Sequence, residues 1–349
     1  MRRFLVGCLL MLTSHAPASA QEPAVPNVVL GIHGGVGVLK KEMTPELEKQ
    51  IRAGLDAALK AGYAALQKPN ATSLDAVEAA IRVLEDDPSF NAGRGAVFTH
   101  EGKNELDASI MEGQNRKAGA VAGVTTVKNP ITAARAVMEK SKHVMMVSRG
   151  AEKFAQDIQL EIVDPSYFWT EHRWKDLLER LTPQEREALE KKGQKTGAGL
   201  SPARLRLDEP REWSTVGAVA IDRQGNLAAG TSTGGMTNKR FGRIGDSPVI
   251  GAGTYADNAS GAVSCTGHGE YFIRYTVARD ITLLMEYKGL SVKDAADTVI
   301  RDKLEKAGGE GAAIVLDRKG NFVTSRNTEG LYRGYVTADG QRSVLLFEK

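Results

Sequence analysis

Two apolar runs, 216–221 and 227–231, stand on either side of Asp222-Arg223-Gln224-Gly225-Asn226. Together they read as a tight β-hairpin in which Gly225 supplies the positive φ of the turn. A hairpin restricts the fold more than any other local signal, because its turn decides which residues of the two strands face each other. Centred on Gln224, it pairs position i with 448 − i and sets Thr215 opposite Thr233. A slip of one residue would undo that pairing. Threonine is a favoured strand residue, and a cross-strand threonine pair is ordinary sheet stabilisation. The setting adds weight: two hydroxyls at a strand start, under the glycine-rich Ser232-Thr233-Gly234-Gly235, make a place for acyl chemistry.

The chain entering this hairpin has a different character. Residues 182–214 carry Gln184-Glu185-Arg186-Glu187, Glu190-Lys191-Lys192, a glycine-bearing stretch at 195–200 and a charged run at 204–211. Few large apolar side chains are left to bury, so the segment reads as an exposed, mobile linker. A linker that meets a strand at Ser214-Thr215 suits a scissile junction, since the upstream chain is free to leave once cut.

Residues 1–20 read as an export signal: basic Arg2-Arg3, an apolar run from Phe4 to Thr13, and the cleavage signature Ala18-Ser19-Ala20. Leu5-Val6-Gly7-Cys8 has the look of a lipoprotein box, but only Phe4 separates it from the arginines, so cleavage after Ala20 and a periplasmic destination are expected. Loss of the two arginines takes the formal charge from +3 to +1, which argues against nucleic acid or an anionic membrane as partner. Cys8 leaves with the signal. Cys265 then has no partner for an intramolecular disulfide, and in an apolar strand it is expected to pack rather than react.

Elsewhere, a strand at 27–32 runs into His33-Gly34-Gly35-Val36-Gly37, a glycine-rich loop matching neither phosphate-binding pattern. Thr44-Pro45 opens a helix to about Leu66, and Thr72 or Ser73 caps a second whose apolar stripe ends at Leu84. Glu85-Asp86-Asp87 could chelate a cation through side chains, although acidic helix ends are ordinarily solvated. A glycine-rich entry to a strand is expected at 90–98, then strands at 106–111, 118–124 and 144–147 around a helix at 131–140. After the hairpin come strands at 249–255 and 262–266, a long helix from Gly269 to about Tyr287, and another from Ser291 to about Lys306. Strands at 312–316, 321–325 and 344–347 complete the chain. Strands and helices alternate in blocks on both sides of the linker, which points to sheets held between helical layers.

Four segments, Thr215-Val216-Gly217-Ala218-Val219, Thr231-Ser232-Thr233-Gly234-Gly235-Met236, Gly242-Arg243-Ile244-Gly245-Asp246-Ser247-Pro248 and Thr266-Gly267-His268-Gly269-Glu270, occur in that order. They are flanked by His33-Gly34-Gly35, Phe90-Asn91-Ala92-Gly93 and Asn327-Thr328-Glu329-Gly330. The ordered set resembles the plant-type L-asparaginase/isoaspartyl aminopeptidase family of N-terminal-nucleophile hydrolases, over nearly all of the chain except the signal and the linker. The resemblance implies an α+β fold, an αββα four-layer sandwich, made as a precursor that cuts itself between Ser214 and Thr215. The resulting chains, 21–214 and 215–349, form one composite domain. It implies hydrolysis of L-asparagine and of β-aspartyl dipeptides through a β-aspartyl ester on Thr215, without a catalytic cofactor, by a dimer of cleaved protomers.

By the same resemblance, Thr215 is the nucleophile and its freed α-amine the base. A threonine hydroxyl needs a base within hydrogen-bond reach, and an α-amine with a pKa of about 8 can serve near neutral pH. Thr233 supports Thr215; Thr266 and Gly267 form the oxyanion hole; Arg243 clamps the substrate α-carboxylate; Asp246 meets its α-ammonium; Gly269 lines the same pocket. Leu84, Glu85, Asp87, Phe90, Ala92 and Arg94 match a loop that wraps a structural sodium with backbone carbonyls. Ser214 departs from the usual glycine before the nucleophile, and His268 occupies a variable position of its motif. A serine β-carbon at the junction is expected to slow or redirect self-cleavage. Two other readings stay open: a glycosylasparaginase sharing the same head-group clamp, and a processing-defective binding protein for aspartyl compounds.

Overall fold

A computed structural model of the chain describes residues 24–37, 39–191 and 214–348. The export signal and most of the charged linker therefore lie outside the described residues. At the centre is the hairpin of β5 (Val216–Ile221) and β6 (Leu227–Thr233). Its partners run from Val216↔Ser232 to Ile221↔Leu227, the register expected from a turn centred on Gln224. Asp222 N bonds Asn226 O at 3.0 Å and Gly225 N bonds Asp222 O at 2.9 Å, with Gly225 at φ 78°. Local turn chemistry therefore leaves Thr215 and Thr233 side by side.

Around this hairpin the first sheet adds β1 (Val28–Val36), β2 (Leu106–Glu112), β3 (Ala118–Val124), β4 (Met145–Val147), β11 (Leu331–Thr337) and β12 (Arg342–Leu345). Its strand order is β12-β11-β1-β5-β6-β2-β3-β4. The second sheet, β10-β9-β8-β7, uses β7 (Thr254–Ala256), β8 (Gly261–Gly267), β9 (Gly311–Asp317) and β10 (Phe322–Arg326). Helices α1 (Pro45–Leu66), α2 (Ser73–Asp86) and α3 (Pro130–Lys140) cover the outer face of the first sheet. Their core joins Leu55, Leu59, Val77 and Ile81 to Ile32, Ala218 and Ile110. Beyond β4 lie α4 (Ser148–Asp157), α5 (Glu171–Arg180) and α6 (Pro183–Lys191), and α7 (Gly269–Tyr275) follows β8. Helices α8 (Val277–Lys288) and α9 (Val292–Asp297) cover the second sheet. Between the sheets, Val219, Leu227, Ala229 and Met111 meet Ala262, Ile314, Leu316 and Phe322. The result is the αββα sandwich.

The expected helix starts are where capping places them. Thr44 accepts from Leu47 N at 3.2 Å with Pro45 behind it, and Thr72 closes a reciprocal capping box with Asp75. Other elements differ from expectation. Strand β1 runs on through His33-Gly34-Gly35, so these glycines form an irregularity inside a strand rather than a loop beyond it. Residues 90–98 enter no strand; they contain a 3₁₀ turn at Gly93–Gly95. The strand expected at 249–255 shrinks to β7, because Val249 to Gly253 coil into turns closed on Asp246 and Val249 carbonyls. The long helix after Gly269 is broken by Thr276 in the left-handed region, φ 46°. Helices α4 and α5 and strand β11 had no sequence counterpart.

The linker also begins later than its composition suggests. Residues 183–191 are helical, and Leu189 is buried with Leu181, Leu178, Leu177, Trp174 and Phe98. A charged segment needs only one or two apolar residues on its inner face to dock when a partner surface exists. Among the described residues no helix is long and apolar enough to cross a membrane.

Candidate active site

Thr215 lies directly before β5 and Thr233 ends β6, both buried. Thr215 Oγ1 donates to Thr233 Oγ1 at 3.1 Å, and Thr233 Oγ1 donates on to the Ser214 carbonyl at 3.3 Å. Asn91 Nδ2 donates to the same carbonyl at 2.6 Å and to Gly235 O at 2.8 Å, while Asn91 Oδ1 accepts from Val97 N at 3.0 Å. The carbonyl one bond from Thr215 is thus held by two donors, one of which also accepts from the Thr215 hydroxyl. Neither Asn91 nor this carbonyl arrangement was singled out in the sequence. The only signal was the Phe90-Asn91-Ala92-Gly93 motif.

The junction is seated from the other side by β1. Gly35, at φ 105°, has no room for a side chain: a β-carbon there would run into Ser214 Oγ and lie 2.8 Å from Thr215 N. Ser214 uses that space and donates its hydroxyl to Gly34 O at 3.0 Å. The positive φ belongs to Gly35, not to Ser214. His33 is wholly buried, with Nε2 2.9 Å from Ser264 Oγ and its ring against the Thr215 backbone. Burial drives its pKa down to about 3, against the opposing contact with Thr215, so the ring is neutral.

Strand β8 crosses β5 and β6, and Ser264 touches Thr231 at 2.7 Å. Thr266 is two residues further along the same face of β8, and Gly267 ends the strand. Thr266 Oγ1 is buried and makes no hydrogen bond among the described residues. Cys265, one residue before, points into the core and burial raises its thiol pKa, as expected of a packing cysteine.

Arg243 and Asp246 occupy the segment after β6. Asp246 is buried, its Oδ2 has no hydrogen-bond partner among the described residues, and burial pushes its pKa up to about 7 despite the field of Arg243. Arg243 does not pair with Asp246. Its Nε and Nη2 grip Glu270 at 2.9 and 2.8 Å; burial works against the guanidinium charge, but this bidentate bond holds its pKa above the usual value. Nη1 packs over Gly245, and Gly269 allows the close approach, since a β-carbon there would lie 2.8 Å from Arg243 Nη2 and 3.1 Å from Asp246 N. His268 precedes α7 and contributes to the same group, with Nε2 3.3 Å from Glu270; burial lowers its pKa.

Leu84 and Glu85 lie in the last turn of α2, and Asp87, Phe90, Ala92 and Arg94 on the bend that follows it. A β-carbon on Gly93 would strike Glu85 O, and one on Gly95 would strike Phe90 O and lie 2.6 Å from Pro88 O. Backbone carbonyls therefore crowd the inside of this bend. The side chains diverge instead: Glu85 Oε1 accepts from Ser232 Oγ at 2.7 Å and Ile131 N at 2.9 Å, Asp86 faces Asn129, and Asp87 caps Ser89 N. Glu85, Asp86 and Asp87 thus each bond protein donors in this arrangement. Among the described residues no three His, Cys, Asp or Glu side chains converge.

A four-layer αββα core with a threonine leading the central strand defines a hydrolase of the N-terminal-nucleophile type. More narrowly, the chain belongs to the asparaginase family, whose sequence model matches residues 26–346. It is similar to the isoaspartyl peptidase of Escherichia coli K12, 48% identical over 308 residues, 88% of this chain and 92% of the relative. The plant-type L-asparaginase of Pyrococcus abyssi is 43% identical over 310 residues, 88% of this chain and 96% of the relative. The isoaspartyl peptidase/L-asparaginase of Rattus norvegicus is 41% identical over 307 residues, 88% and 85% respectively.

Proposed function

We propose that this chain is an autoprocessing amidohydrolase of L-asparagine and β-aspartyl (isoaspartyl) dipeptides, with Thr215 as nucleophile. The observation that carries the proposal is the Ser214 carbonyl, held by Asn91 at 2.6 Å and Thr233 at 3.3 Å beside the Thr215 hydroxyl. In the precursor, Thr215 Oγ1 attacks that carbonyl carbon while Asn91 and Thr233 take up the developing charge. The C–N bond breaks as the hydroxyl proton passes to the departing Thr215 nitrogen, the acyl group moves to oxygen, and water opens the ester to give the Ser214 carboxylate and restore the hydroxyl. Thr215 is then a free N-terminus. Ser214 fits this role because its side chain occupies the space left by Gly35.

In the mature enzyme the α-amine takes the Thr215 hydroxyl proton as Oγ1 attacks the substrate β-carbonyl. The same amine returns the proton to the leaving ammonia or peptide amine. Thr266 Oγ1 and Gly267 N–H receive the oxyanion, and water then hydrolyses the β-aspartyl ester. The head group is read by charge. Arg243 offers its Nη1 edge to the α-carboxylate while Glu270 steadies the other edge. A substrate ammonium beside Asp246 favours its ionised form, offsetting the burial that raises its pKa to about 7 without ligand. The chemistry uses no cofactor. The carbonyl-lined bend at 84–94 is suited to a structural sodium, since hard cations take oxygen donors and its side chains turn away.

The names of the relatives favour this substrate class over glycosylasparagine. The deciding experiment is intact-mass spectrometry of purified protein over time at neutral pH, with turnover of asparagine and β-aspartyl dipeptides measured alongside. Wild type should divide between Ser214 and Thr215, and Thr215→Ala should stay whole and inactive. An uncut, fully active wild type would refute the mechanism. An uncut, inactive one would support the binding-protein reading, with Ser214→Gly as the rescue to try. Export with cleavage after Ala20 and assembly as a dimer of cleaved protomers complete the proposal. N-terminal sequencing of exported protein that found Met1 or an acylated Cys8 would remove the first of these.

A further inference from the structure

The hydrolase reading leaves one buried pair of opposite charges without a role. Lys239 is buried, in the segment between the Thr233-Gly234-Gly235 turn and Arg243. Its Nζ donates to the Glu105 carbonyl at 2.9 Å and lies across Gly235, where a β-carbon would be 3.1 Å away. Gly235 N donates to Thr233 Oγ1 at 2.9 Å, and that oxygen is 3.1 Å from Thr215 Oγ1. Asp107 approaches from β2. It is the register partner of Thr233, so the two side chains leave the sheet on one face. Asp107 is fully buried; Oδ1 accepts from Gly123 N at 2.8 Å, and Oδ2 has no hydrogen-bond partner among the described residues.

Burial lowers the Lys239 pKa and raises that of Asp107, and each group's field opposes the other's shift. Anchoring residues 236–243 on β2 needs only a neutral donor, so a buried ammonium costs more than that task requires. The ammonium lies across Gly235, whose N–H bonds the Thr233 hydroxyl that touches Thr215.

We propose that Lys239 and Asp107 are positioning residues whose opposing fields set the proton affinity of the α-amine that cutting frees at Thr215. The inference rests on the reading of that amine as the base. Lys239 disfavours the ammonium form and keeps the base available; Asp107 limits that effect. The other charged or titratable groups around the amine come from each neighbouring element. Strand β1 presents His33, which burial keeps neutral, and β11 presents buried Arg333 as its register partner. Arg243 and Asp246 belong to the clamp segment, where Arg243 pairs with Glu270 of α7 and His268 lies 3.3 Å from the same carboxylate, while Cys265 of β8 turns away into the core. Arg243 and Glu270 largely cancel each other as an ion pair.

The test is the acid limb of the pH profile of kcat/KM, measured with a β-aspartyl dipeptide on protein verified as cut by mass. A unit charge beside a partly buried site shifts a titration there by up to about one unit. Lys239→Met should therefore move the acid limb upward by about 0.5–1 unit, and Lys239→Arg should restore it. Asp107→Asn, which keeps the acceptor for Gly123 N, should move the limb downward by a similar amount. A structural role predicts loss of rate without displacements of opposite sign. Unshifted limbs, or shifts in one direction for both variants, overturn the proposal. If Lys239→Met does not fold, the near-isosteric Asp107→Asn decides alone, and an upward or absent shift overturns it. A cut wild type that turns over neither dipeptide nor asparagine would overturn the underlying hydrolase reading instead.

Discussion

Removing the Asn91 amide should slow self-cleavage far more than the loss of a buried hydrogen bond would suggest. Asn91 Nδ2 is 2.6 Å from the Ser214 carbonyl, the shorter of that oxygen's two hydrogen bonds. A single oxyanion donor is worth about 2.7–4 kcal/mol, or roughly 100- to 1,000-fold in rate. Thr233 Oγ1 remains as a second donor at 3.3 Å, so Asn91→Ala should fall near the lower figure, about 100-fold. The same substitution strands Gly235 O and Val97 N, each a buried group costing about 1–3 kcal/mol when unpaired. Stability and cleavage must therefore be separated. Thermal unfolding identifies a temperature at which variant and wild type are both folded, and intact mass against time at that temperature gives the cleavage rate per folded molecule. Asn91→Asp sharpens the comparison, because it keeps the acceptor for Val97 N but sets a carboxylate against two carbonyls. It should cut more slowly than Asn91→Ala. A folded Asn91→Ala that cuts at the wild-type rate would show Asn91 to be a structural bolt and refute its proposed role at the junction.

Three other outcomes are expected. Arg243→Ala should lower kcat/KM for β-aspartyl dipeptides by roughly 30- to several-thousand-fold, about 2–5 kcal/mol, because a charge-assisted bond is lost and Glu270 is left unpaired; self-cleavage should persist, and wild-type efficiency would remove Arg243 from the site. His33 is held neutral at a pKa of about 3, below its unfolded value of 6.5, so its contribution to stability is full above 6.5 and falls as pH drops toward 3. The loss approaches about 1.4 kcal/mol per unit, and melting temperature against pH for His33→Gln should be flatter in that window; an unchanged slope would contradict it. Gly35→Ala should give a destabilised, uncut chain, since its β-carbon collides with Ser214 at a positive φ, and Ser214→Gly in the same chain should recover part of the cleavage. Normal cutting by Gly35→Ala alone would mean the junction relaxes freely.

What sequence alone determined here is what neighbouring residues decide between themselves. A five-residue turn is enough to set the β5–β6 register, because each strand pairing repeats the offset of the one before, and so Thr215 beside Thr233 was legible before any fold was known. The Thr44 and Thr72 caps are local in the same way. Motif order carried the four-layer class and the list of site residues. Contacts between distant parts of the chain were beyond its reach. Asn91 and Ser214 are 123 positions apart, and nothing in either segment says that an amide will face that carbonyl. Arg243 has Asp246 three residues away, yet its fork closes on Glu270 from another element, because side-chain direction in a loop depends on what packs against it. The linker misled for a related reason: its composition is that of solvated chain, but Leu189 finds Trp174 and Phe98, and burial depends on the surface available. The charge pair of Lys239 and Asp107 was invisible for the same cause. Whether charges so distant in sequence end up buried together is settled by the packed sandwich, in which Gly217 and Gly31 leave room for Ser264 and Phe322 across the interface.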